Sequence, residues 1–122
     1  MRATDDSYDG IAYEELPLEA VDWSERDEYI RRRSERKALP NEFDVEPEWA
    51  TEAVMEPNRV VGPGRSRSGA TIRVIGYSPG AGRLLTVLLL GKDEPVGGEW
   101  WGVDAWASSD RDMREYRERN SE

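Results

Sequence analysis

Between Ala70 and Trp106 the chain runs through three apolar-rich segments, ATIRVIGY, RLLTVLLL and EWWGVDAW, separated by SPGAG and GKDEPVGG. Runs of this length, bounded by Gly, Pro, Ser and Asp, predict three consecutive antiparallel strands. In the first, Ile72 and Val74 fall on one face and Thr71, Arg73 and Tyr77 on the other, because successive strand side chains point to opposite sides of a sheet. The middle segment is apolar at Leu84, Leu85, Val87, Leu88, Leu89 and Leu90, between Gly82 and Gly91, which suits a central strand covered on both faces. In the third, strict alternation groups Trp100 and Trp106 with Asp104, and Trp101 with Val103 and Ala105.

Helical patterning flanks these strands. Ser24 as cap, followed by DEYIRRRSERKAL and stopped by Pro40, predicts one helix that is acidic in its first turn and basic later, with a thin inward stripe of Ile30, Ser34 and Ala38. A shorter helix, PEWATEAVM, opens at Pro47. Val45, Trp49 and Ala53, with Ala50 and Val54 beside them, repeat at the spacing that covers a sheet face. After the sheet, SSDRDMREYRERN predicts a helix capped by Ser109, with Met113 and Tyr116 inward and Asp110–Arg114 and Arg111–Glu115 as i,i+4 pairs. Residues 59–61 can add a further strand, and GPGRSRSG reads as a loop. The acidic residues 1–20, with scattered apolar positions, read as a flexible leader or a short edge strand around Gly10 to Glu14. The expected organisation is therefore a leader over 1–20 and one α+β domain over 21–120. That domain is an antiparallel sheet of three or four strands, flanked by two N-terminal helices and one C-terminal helix.

Composition narrows the chemistry. At 122 residues the chain has length for one modest core. It contains no cysteine and no histidine, which removes disulfides, thiolate sites, the commonest general base and the commonest metal ligand. No metal or cofactor is expected, and any catalysis would run on Asp, Glu, Tyr, Arg or Lys. No basic-then-apolar leader opens the sequence and no run of about 18 apolar residues occurs, so a cytoplasmic protein without a membrane partner is expected.

The net charge is −9, and it is uneven: residues 1–56 hold 17 acidic and 7 basic side chains. A negative field repels nucleic acid at long range, so RNA would need a local basic patch. The candidates are Arg32, Arg33 and Arg36 on the first helix, and Arg65 and Arg67 in the glycine-rich loop.

Trp23 before a basic helix, a short helix ending in MEPNRVV, then TIRVIGYSPGAGRLLTVLLL, and a capped last helix carrying Tyr116 together resemble the BrnT family of type II toxins over Trp23 to Arg119. The likeness is clearest in IGYSPGAGRLLTVLLL, where the family shows IG, a small turn, GRLL and a run of aliphatics. The resemblance implies a RelE-like ribonuclease fold, RNA as substrate, and a cognate antitoxin as partner. The family closes on an ISAR-like strand end, then a Glu and a Tyr four residues later. Asp112 and Tyr116 match that Glu and Tyr, while Trp106 and Ala107 stand in place of the arginine and the lysine that often follows it.

Cleavage of RNA by its own 2′-hydroxyl needs a base or oriented dipole, cations on the phosphate and an acid for the leaving oxygen. Arg73, Arg83, Asp112 and Tyr116 are the candidate catalytic residues. An indole cannot replace a guanidinium as charge or bidentate donor, so the resemblance also admits an inactive relative that binds a partner protein. Trp100 and Trp106 are the candidate anchors for it.

Overall fold

In the computed structural model, which describes residues 7–37, 43–64 and 70–121, the elements follow in the order β1 (Ser7–Tyr8), β2 (Ile11–Ala12), a 3-10 turn at Tyr13–Glu15, β3 (Ala20–Asp22), α1 (Asp27–Arg31), α2 (Arg33–Lys37), α3 (Pro47–Met55), β4 (Val60–Pro63), β5 (Thr71–Ser78), β6 (Arg83–Gly91), β7 (Glu99–Ala107) and α4 (Asp110–Arg119). The leucine-rich strand β6 sits in the middle of a five-stranded sheet of order β3-β7-β6-β5-β4. Leu85, Val87 and Leu89 are fully buried on one face, and Leu84, Leu88 and Leu90 are half-buried on the other.

This architecture corrects the expected one. The sheet is mixed, because β3 pairs in parallel with β7, and β1 and β2 form a separate two-stranded ribbon. Among the described residues, five strands with a parallel edge, a second small sheet and four α-helices are not the three- or four-stranded antiparallel, RelE-like layout. Three residues, Ala20 to Asp22, are too few for periodicity to register as a strand. Pairing fixes them instead: the N–H groups of Glu19 and Ala20 both donate to the Gly98 carbonyl, at 2.8 and 3.2 Å.

The single basic helix is also two helices. Arg32, at φ −118° and ψ 36°, ends α1, and the Asp44 carboxylate takes the Ser34 N–H at 2.7 Å and its hydroxyl at 3.1 Å. That carboxylate satisfies an orphan donor in the first turn of α2 from ten residues away in sequence, a cap that local pattern does not reveal. Ser24 does not cap; its N–H is drawn to Asp22 Oδ1.

The chain before β3 is part of the fold from Ser7 onward, rather than a flexible leader; residues 1–6 lie outside the described set. Leu16 is buried, the Tyr8 ring lies 5.4 Å from that of Trp100, and Trp100 Nε1 donates to the Pro17 carbonyl at 2.9 Å.

The two faces of the sheet are covered unequally. On one, α3 lays Ala50, Ala53 and Val54 against Ile72, Val74, Leu85, Val87, Leu89 and Ala105 to form the main core. Gly76 permits this approach, since a Cβ there would run into the Ala53 carbonyl. On the other face α4 packs over β5 and β4.

The register of β7 slips between Leu88 and Leu89, which pair with Asp104 and Gly102. This bulge inserts one residue and reverses the alternation. Trp100 and Gly102 therefore join Ala105 on the core face, while Trp101 lies with Asp104 and Trp106 on the second face, contrary to the strict pattern.

Candidate functional site

The N-terminus of α4 builds the polar centre of the second face. Ser109 Oγ accepts the Asp112 N–H at 3.2 Å, which fixes the first turn and turns the Asp112 side chain inward, where it is 1% exposed. Its Oδ2 accepts from the Thr86 hydroxyl at 2.8 Å, and its Oδ1 takes Arg73 Nη1 at 3.4 Å. The same Nη1 lies 3.3 Å from Glu115 Oε1. Glu115 thus turns inward to Arg73 rather than serving the helix pair expected with Arg111. The Arg73 side chain is 12% exposed, held between two carboxylates. Thr86 Oγ1 also meets Ser108 Oγ at 2.8 Å.

One turn further on, Tyr116 Oη donates to Glu56 Oε1 at 2.8 Å. Glu56 also takes the N–H groups of Tyr77 and Asn58, at 2.9 and 2.8 Å. Burial, reinforced by the hydrogen bond and the charge of Glu56, pushes the Tyr116 phenol up to about 12. At neutral pH it is therefore a protonated donor, poorly matched to the task of a base.

Three of the four candidate catalytic residues, Arg73, Asp112 and Tyr116, thus line up along α4. Arg83 does not join them. It opens β6 at the hairpin, exposed, with its guanidinium 4.1 Å over the Phe43 ring.

Of the candidate RNA-binding arginines, the two with described side chains, Arg32 and Arg33, are both engaged by carboxylates. Arg32 is exposed and paired with Glu28 at 3.2 Å. Arg33 is buried, its Nη1 3.2 Å from Asp104 Oδ1 and its guanidinium 5.1 Å over the Trp106 ring. Arg36 lies on α2 with its side chain outside the described residues, as do Arg65 and Arg67 entirely.

Trp100, expected as a partner anchor, is fully buried, a consequence of the bulge. Trp106 is half-buried on the second face, and Trp101 lies there beside it. Lys92 Nζ stands 4.2 Å over the Trp101 ring and 2.9 Å from Asp22 Oδ2. Hydrogen bonds from Ser24 first, then from Lys92, hold the Asp22 carboxyl well below the usual carboxylate range.

Four residues that matter here are not among the site residues expected from the sequence: Glu56, Thr86, Lys92 and Asp104. Two carried a signal. Thr86 is the polar interruption of LLTVLLL, and Asp104 is a charge set between tryptophans in a strand.

Among the described residues no group of three or more acidic side chains could hold a metal ion, and no helix is long and apolar enough to cross a membrane. No protein-family model matches the sequence, and no curated protein matches it either.

Proposed function

We propose that this chain is a protein-interaction domain without ribonuclease activity, the inactive branch that the BrnT resemblance admits. The observation that carries this reading is the environment of Arg73. A guanidinium bound to both Asp112 and Glu115 inside the fold presents its charge to carboxylates rather than to phosphate. Arg33 is engaged in the same way by Asp104, and Tyr116 is a protonated donor to Glu56.

The proposed contact surface is the β6–β7 half of the second face, where Leu88, Leu90, Trp101 and Trp106 are half-buried. Strands lie roughly 4.8 Å apart and a helix is about 10 Å wide, so one helix covers about two strands. Helix α4 serves β4 and β5, and among the described residues no other helix packs on this face of β6 and β7, which leaves room there for one helix from a partner protein. Lys92 and Arg33, seated over the two indoles, hold the rings in place for it.

Expression of the chain alone should leave growth unaffected, and the purified protein should neither cleave RNA nor bind it at low salt, where phosphate contacts are strongest. A displayed library of amphipathic helices should yield binders that Leu88→Asp abolishes and Arg114→Ala does not. Growth arrest with RNA cleavage would overturn the proposal and restore the toxin reading; a library without such binders would remove the proposed surface.

A further inference from the structure

The β4 edge of the sheet presents a second and separate binding feature. Gly64 N–H donates to the Thr71 carbonyl at 3.0 Å, and the register runs Gly62↔Arg73, Val61↔Val74 and Val60↔Ile75. Bonded and non-bonded pairs alternate in an antiparallel ladder. Val60, Gly62 and Gly64 therefore turn their backbone groups toward β5, and Val61 turns its N–H and C=O outward. Val61 is 6% exposed, and among the described residues no backbone group bonds to it across the edge, not even from the 3-10 turn that packs beside β4. Buried backbone groups find partners in nearly every native structure.

A pocket of about 290 Å³ lies against this edge, with Val61, Arg59, Arg119, Asn58, Asn120 and Glu14 in its wall. Pro63, two residues along on the same outward side, has no N–H to give. An added chain can pair with Val61 but cannot continue past Pro63 as a strand. The edge is therefore suited to a chain end rather than a through-running strand. Among the described residues, two arginines and a single carboxylate give the wall one net positive charge, which matches a monoanion and disfavours a polyphosphate.

We propose that this pocket captures the terminal carboxylate of an extended peptide. The peptide amide next to the terminus pairs with the outward groups of Val61, and the carboxylate is held by Arg119 and Arg59. Arg59 is positioned for this by the bond of its Nη1 to the Glu56 carbonyl at 3.3 Å. Arg119, at the exposed end of α4, supplies the second charge. This is the capture of a chain terminus combined with one step of strand addition.

The test is a titration of the isotopically labelled full chain with N-acetyl-alanylalanine, following backbone amide resonances. Saturable movement of the Val61 amide with the free acid, and none with the C-terminally amidated form, is expected. Arg119→Ala, an exposed change that spares the core, should weaken binding roughly tenfold or more, as loss of a charge-assisted hydrogen bond does. Equal response to acid and amide, equal response to inorganic phosphate, or a Val61 amide that stays still would each overturn the assignment. The indole face plays no part in this readout, so failure here and failure of the interaction surface remain distinguishable.

Discussion

Tyr116 illustrates how single residues set both the stability and the chemistry of this molecule. Its pKa is raised to about 12 in the folded chain, against about 10 when unfolded. The native state thus favours the protonated phenol. The stability this contributes is fully present below about pH 10 and is lost as pH rises through about 12. Spectrophotometric titration should show one tyrosine ionising near 12, and Tyr116→Phe should remove both that step and the part of the alkaline destabilisation tied to it. A Tyr116 that ionises near 10 would mean that the phenol is neither buried nor bonded to Glu56 in solution. The helix that carries Asp112 and Tyr116 is legible in the sequence from its Ser109 cap and i,i+4 pairs, and the BrnT resemblance is what pairs the two residues. The role of Glu56 is not legible there, since its partners Tyr77 and Tyr116 lie 21 and 60 residues away.

Among the elements, α3, β5, β6 and α4 follow from pattern, since each has enough residues for its period to be unambiguous. Strand β7 does not. Tryptophans at 100, 101 and 106 leave both faces apolar, so alternation alone cannot locate the bulge that puts Trp100 in the core and Trp106 outside it. The consequence is a difference in energy between two residues of the same type. Trp100→Ala should destabilise the protein by about 3–5 kcal/mol, the usual cost of emptying a buried aromatic site. Trp106→Ala should cost less than about half as much, because the ring is only partly removed from water. Urea unfolding of the two variants measures the difference; equal losses would mean that the register slip is misplaced. The basic helix was misread for a different reason, since the carboxylate that starts α2, Asp44, comes from the following segment.

For the molecule as a whole, the excess of negative charge in the first half suggested a solvated leader, yet from Ser7 onward it packs through Tyr8, Leu16 and Pro17 against Trp100 and its neighbours. Composition cannot register contacts of this range. Deleting residues 1–20 should therefore lower the unfolding free energy by more than about 2 kcal/mol, the order of a buried leucine and a lost hydrogen bond. An unchanged urea midpoint would contradict that packing. The same folding logic governs Arg73, which joins the sheet to α4 by binding two carboxylates and so is a structural cation rather than a phosphate ligand. Its removal breaks the buried ion pair with Asp112, a change that typically costs about 3–5 kcal/mol. A double-mutant cycle of Arg73→Ala and Asp112→Ala, read by equilibrium urea unfolding, tests this directly. The expected result is a large loss for Arg73→Ala and a coupling of at least about 1 kcal/mol between the two sites. Stability of Arg73→Ala within about 0.5 kcal/mol of the parent, with no coupling, would mean that the guanidinium is free for an anion, and the non-catalytic reading would fall.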